Sequence, residues 1–119
     1  MIVIDNEKNI TLNRGDRATI KLTSSGSNFK SGDKLRLSIV DRRNYDNVVF
    51  QKEYPISEDA DTAYITLTKE DTAIGPIISR PKEYWYEIEY DGDMTIVGYD
   101  SNGAKKFTLL PEAPERSDS

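Results

Sequence analysis

The chain has no cysteine and no histidine among its 119 residues. Without cysteine there is no disulfide, no thiolate metal ligand and no thiol nucleophile. Without histidine the commonest general base and the commonest zinc ligand are missing, so most hydrolase triads and most zinc sites cannot be built. No phosphate loop and no dinucleotide fingerprint is present. No segment approaches the ~20 consecutive apolar residues that cross a bilayer. The opening "MIVIDNEKNITL" has no basic start leading into a long apolar run, so the chain is expected to be cytosolic where it is made, with no membrane partner. These absences point to a chain with no catalytic residues, no resident metal and no cofactor.

What is present suits one ordinary domain. The residues are 36% hydrophobic and 31% charged, which places the chain near the polar end of folded globular proteins with one modest core. A formal net charge of −5 repels phosphate backbones and argues against direct nucleic-acid binding. The short basic clusters in Asp41-Arg42-Arg43 and Lys105-Lys106 read as solvated surface at strand ends.

Period-two alternation recurs almost from end to end. In "RATIKL" Ala18, Ile20 and Leu22 share one face, and in "DKLRLSIV" Leu35, Leu37 and Ile39 do the same against Lys34, Arg36 and Ser38. "VVFQKEY" starts apolar and then alternates, while "TAYITLT" groups Ala63, Ile65 and Leu67 opposite Tyr64. "YWYEIEY" sets Tyr84, Tyr86, Ile88 and Tyr90 against Trp85, Glu87 and Glu89. "MTIVGY" and "KKFTLL" complete the set, with "IVI" and "NITL" as one bent or edge strand.

The punctuation is that of antiparallel sheets. "YDGDM" and "YDSNG" carry Asp-Gly and Asn-Gly pairs that tolerate positive φ in tight reversals. "TKEDTAIGPIISRPKE" holds Pro76 and Pro81, which bars a central strand and implies a long crossing connection, opened by a single helical turn over "KEDTA". The fold class read from this pattern is all-β: an antiparallel β-sandwich of immunoglobulin-like type, seven or eight strands with one long crossover loop, a small barrel being the second choice. One domain spans residues 1–112, and the Pro- and charge-rich 113–119 form a flexible tail. The tyrosines of the "YWYEIEY" strand are read first as buried rings, the alternative being a hydroxyl that bonds the backbone of the "EDTAIG" connection.

Several motifs invite functional readings. Arg14-Gly15-Asp16 is the integrin-binding triplet, but it lies directly between "NITL" and "RATIKL", where glycine serves a turn and aspartate bonds a nearby amide, so the structural reading is preferred to integrin binding. Glu58, Asp59 and Asp61 offer oxygen ligands without the spacing of an EF-hand loop, and "DSNG" has the same shortcoming. Glu87 and Glu89 sit about 7 Å apart on one strand face, a separation a glycosidase uses, with no sign of a pocket to separate their roles. Asn9-Ile10-Thr11 matches a glycosylation sequon only formally, since no secretory signal accompanies it.

The candidate partner-binding residues are apolar or flank apolar ones. Trp85 is out of phase with its tyrosine neighbours, and "GPIISRP" holds Ile77, Ile78 and Arg80 in a loop between prolines. Exposed side chains of this kind mark protein interfaces. The alternative for Trp85 is packing under the crossing loop at the end of the core.

The succession Ile10-Thr11-Leu12, Gly15-Asp16, Ala18, Ile20 and Leu22 leads into Gly32-Asp33 with Leu35 and Leu37. Leu67, Asp71-Thr72, Tyr84, Tyr86 and Ile88 follow, then Thr95, Gly98, Phe107, Leu109 and Pro111-Glu112. Together they resemble a family of small β-sandwich domains in structural proteins of tailed phages and prophages of Gram-positive bacteria. The resemblance covers residues 10–112 through core and turn positions. In that family the connection leads from a Pro/Gly turn almost directly into the Tyr-x-Tyr strand, whereas here residues 77–83 intervene. It implies a non-enzymatic baseplate, fibre, connector or capsid accessory module whose partners are virion proteins or further copies of itself. Two other expectations compete: an acidic inhibitor that occupies the nucleic-acid channel of a host defence nuclease, and, ranked after it, a carbohydrate-binding sandwich with Trp85 and nearby tyrosines as its platform.

Overall fold

In the computed structural model the described residues are 3–4, 8–24, 28–41, 44–92, 94–98, 101 and 103–112. They form an all-β molecule with one helical turn. The strands are β1 (Val3–Ile4), β2 (Ile10–Asn13), β3 (Ala18–Thr23), β4 (Lys34–Asp41), β5 (Asn44–Pro55) and β6 (Thr62–Leu67). After α1 (Lys69–Thr72) come β7 (Lys82–Tyr90), β8 (Met94–Val97) and β9 (Lys105–Leu110). A seven-stranded sheet runs β1-β2-β9-β7-β4-β5, with β8 also on β7, and β3 and β6 pair in a second sheet.

The two sheets share one core because alternate residues of each point at the other. Ile10, Leu12, Leu37, Ile39, Ile88, Phe107 and Leu109 from the larger sheet and Ile20, Ile65 and Leu67 from the smaller are all at most 4% exposed. The phase of β7 is as the alternation requires: Tyr84, Tyr86 and Ile88 are buried, while Trp85, Glu87 and Glu89 are half-buried on the opposite face. Tyr64 stands out on β6 at 58% exposure, opposite to Ala63, Ile65 and Leu67.

Three of the alternating tyrosines reach separate loops, two of them through hydrogen bonds. Tyr86 donates its hydroxyl to the Lys8 carbonyl at 2.5 Å, where Lys8 has a φ of 70°. Tyr90 donates to Asp33 Oδ2 at 2.5 Å and accepts from the Lys30 amide at 3.0 Å. Tyr84 lays its hydroxyl against the crossing connection, 3.0 Å from where a β-carbon on Gly75 would stand. In the reversal after β7, Asp91 and Gly92 take φ of 53° and 80°, the left-handed geometry that an Asp-Gly pair favours.

The crossing connection does begin with one helical turn. Thr68 caps it, accepting from the Asp71 amide at 3.1 Å while Asp71 Oδ2 accepts from the Thr68 amide at 3.0 Å, a reciprocal capping box. Burial alone would raise the Asp71 carboxyl, but the Thr68 amide and the Lys52 ammonium at 3.1 Å outweigh it and hold the group below its ordinary value. Nearby, burial and then the Asp71 charge push the Tyr54 hydroxyl up to about 12 while it donates to the Thr66 carbonyl at 3.1 Å.

The structure departs from the sequence reading at three points. Nine strands are formed among the described residues, not seven or eight, because "IVI" and "NITL" contribute separate strands that pair with each other. The pairing is not wholly antiparallel, since β2 runs parallel to β9 with Ile10 opposite Phe107 and Leu12 opposite Leu109. Lys105 is not surface: it shares the inward phase of Phe107 and Leu109 and is 5% exposed, while Lys106 is exposed. Ser38 and Val40 face away from the shared core yet are 7% and 2% exposed, because β5 and β7 flank them on both sides. Arg42, Arg43 and the 113–119 tail lie outside the described residues, as do three residues of the "YDSNG" reversal.

Candidate interaction surfaces

Arg14-Gly15-Asp16 follows β2 in a tight turn closed by the Asp16 amide on the Asn13 carbonyl at 3.1 Å. Gly15 takes a φ of 87°, which only a residue without a side chain adopts cheaply. Arg14 is turned inward at 8% exposure and Asp16 at 6%. The guanidinium donates from Nε to the Ile74 carbonyl at 3.2 Å and from one terminal nitrogen to those of Ala73 at 3.2 Å and Gly75 at 2.6 Å. Its other terminal nitrogen pairs with the Glu112 carboxylate. The Thr72 hydroxyl donates to the Asp16 carbonyl at 2.8 Å. The triplet is therefore a clasp that fastens the start of β3, the crossing connection and the end of β9 together, with neither charged side chain projecting from a loop tip.

The two members of the carboxylate pair on β7 have different neighbours. Glu89 is held by Arg36 at 2.9 Å. Glu87 stands across from Ser38, whose hydroxyl accepts from Gln51 at 2.9 Å, and its carboxyl is raised by burial and secondarily by the Glu89 charge. A carboxyl whose folded pKa is raised favours folding while protonated; that contribution is lost as pH rises from its unfolded value, near 4.3, through the raised folded one. Glu87→Gln is therefore expected to melt at a higher temperature than the wild-type chain at pH 7 and at the same temperature at pH 3. Equal melting at both pH values would mean that burial does not strain this carboxylate.

The acidic loop has structural partners: Asp59 Oδ1 accepts from the Ser31 amide at 2.8 Å, and Asp61 Oδ1 accepts from the Thr62 hydroxyl at 3.0 Å. Among the described residues no three carboxylates are grouped to hold a metal ion. No helix among them is long and apolar enough to cross a membrane.

The apolar candidates separate. Trp85 lies on the outer face of the seven-stranded sheet, with Val40 of β4 on one side and Lys106 of β9 on the other. Val40 in turn faces Val48 of β5 across a bulge, and Val48 and Val49 are 46% and 37% exposed. Cross-strand register thus lays Trp85, Val40 and Val48 in one row. Ile78 instead turns in against the shared core, on the other side of the sheet from Trp85. Ile77, at 82% exposure, and Arg80 face outward from the crossing connection. Val40 and Val48 were not among the sequence candidates; the adjacent pair Val48-Val49, which breaks alternation at the start of "VVFQKEY", was the available signal.

Comparison of the chain with known protein families, with curated proteins and with solved structures found no match.

Proposed function

We propose that the chain is a non-enzymatic protein-binding module with an immunoglobulin-like sandwich fold, and that it serves as a structural or assembly component of a phage or prophage particle. The observation that carries the protein-binding reading is the Trp85-Val40-Val48 row on the outer sheet face, where half-buried Trp85 and exposed Val48 flank a buried Val40 and charged residues lie on the same face. Support for the immunoglobulin-like reading comes from the strand order β2-β9-β7-β4-β5, the parallel β2-β9 pair, and a β3-β6 layer reached by the connections that leave β2 and β5. The phage assignment rests on the family resemblance of residues 10–112.

The experiment is capture of purified structural proteins from phages of Gram-positive hosts by the immobilised chain, compared with the Trp85→Ala, Val48→Asp double variant. Stoichiometric capture that survives 0.5 M salt (roughly a 4 Å Debye length) and disappears in the variant is the expected result. Capture that collapses with salt and is indifferent to the variant would replace this reading with the charge-driven inhibitor.

A further inference from the structure

The two layers of the sandwich are unequal. Five adjacent strands, β2-β9-β7-β4-β5, face a layer of only two. At about 4.8 Å between strands, the first is roughly 24 Å wide and the second roughly 10 Å. The uncovered flank on the β3 side is a groove with a volume of about 290 Å³. Its apolar lining includes Ile20 and Leu22 of β3, Ile88 of β7, Ile96 and Val97 of β8 and Ile4 of β1. Ile20 and Ile88 are core residues, so the core itself forms the floor.

The backbone along this groove is a strand edge. Residue pairs in an antiparallel ladder alternate between those that exchange both hydrogen bonds and those that exchange none. Ser24 donates its amide to the Asp61 carbonyl at 2.7 Å, which makes 24 and 61 a bonded pair. Stepping back by two along the register, Leu22 opposite Ala63, Ile20 opposite Ile65 and Ala18 opposite Leu67 also turn their polar groups toward β6. Thr19, Lys21 and Thr23 therefore aim their N–H and C=O groups away from β6, and no described strand pairs with them there. Their side chains are exposed, while Ala18, Ile20 and Leu22 alternate inward.

Charge narrows the choice of occupant. Although the chain carries a net −5, the charged residues among the described lining of the groove are both cations, Lys8 and Lys21. A second copy pairing β3 against β3 about Lys21 would set like charges opposite each other, which is unfavourable. We infer that the free edge of β3 is a strand-acceptor site for an extended segment of another protein, one with aliphatic side chains at alternate positions and carboxylates between them. The backbone of that segment completes the ladder at Thr19, Lys21 and Thr23. Its aliphatic side chains fill the groove beside Ile20, Leu22 and Ile96, and an outward carboxylate pairs with Lys21. The inference rests on the protein-binding reading above, but it uses a surface on a different layer from Trp85.

The test titrates the full chain with two synthetic ten-residue peptides, one alternating Ile with Glu and one alternating Ile with Lys. Both are N-methylated along one edge so that they cannot stack on themselves. Calorimetry is expected to show binding of the acidic peptide and at least tenfold weaker binding of the basic one. Amide resonance shifts should centre on Thr19, Lys21 and Thr23. Lys21→Glu, a change at an exposed side chain, should reverse the preference, and Lys21→Pro, which removes one edge donor, should abolish binding. Absence of binding at millimolar peptide, shifts centred on Trp85, or a preference unchanged in Lys21→Glu would overturn the inference. Trp85-dependent capture of phage proteins alongside any of these results would leave the proposed function standing and remove only the strand-acceptor site. Peptide binding without such capture would do the reverse.

Discussion

Arg14→Ala is expected to lower the unfolding free energy by about 2–4 kcal/mol, because it leaves three loop carbonyls short of a donor and the Glu112 carboxylate without its partner. The side chain is 10% exposed, so water replaces those donors poorly. Arg14→Lys should recover less than half of the loss, since an ammonium keeps the charge beside Glu112 but cannot reproduce the planar fork that serves several acceptors at once. Glu112→Gln, which keeps a hydrogen-bond acceptor, should cost only about 1 kcal/mol. Urea unfolding of the three variants measures this. If Arg14→Ala fell within about 0.5 kcal/mol of the wild-type chain, as a solvated surface change does, the clasp would be wrong and the triplet would be free for another role.

The second large effect lies where the layers meet. Phe107 is fully buried on β9, opposite Ile10 on one side and Tyr84 on the other, with its ring edge-on to Tyr86 at 6.2 Å between centroids. Phe107→Ala should therefore cost about 3–5 kcal/mol, the sum of lost transfer energy and an unfilled cavity. Against the 5–15 kcal/mol typical of a domain, that leaves the chain near its unfolding threshold at body temperature. Trp85→Ala, nearby on β7 but on the outer face, should cost far less and should act mainly on partner capture. If denaturation midpoints showed Trp85→Ala to be the more damaging change, the assignment of inner and outer faces on β7 would be reversed.

Period two reveals which way a side chain points, and that much was readable. The inward sets of β3, β4, β6 and β7, the outward placement of Trp85 and the single turn over residues 69–72 all follow from local pattern and capping chemistry. Period two does not reveal which strands are neighbours. The parallel β2-β9 pair joins residues 97 positions apart and depends on closing the sheet, for which no local signal exists. The same ignorance of register hid Val40 beside Trp85, and it hid the reach of Arg14 to carbonyls some 60 residues away. Lys105 was misjudged because its charge outweighed its strand phase in the reading; its neighbours Phe107 and Leu109 already specified an inward position. The free edge of β3 was beyond the sequence for a different reason, since an unpaired edge is defined by what fails to lie beside it.

Inner and outer faces, central strands and bare edge are all read out together by amide hydrogen exchange of the free chain. β4, β7 and β9 have neighbours on both edges, so the amides of Leu37, Ile39, Tyr86 and Phe107 should exchange only through global unfolding. Along β3, Ile20 and Leu22 should be protected while Thr19, Lys21 and Thr23 exchange orders of magnitude faster. Uniform protection along β3, or rapid exchange through the middle of β7, would contradict the two-layered arrangement on which both proposed contact surfaces depend.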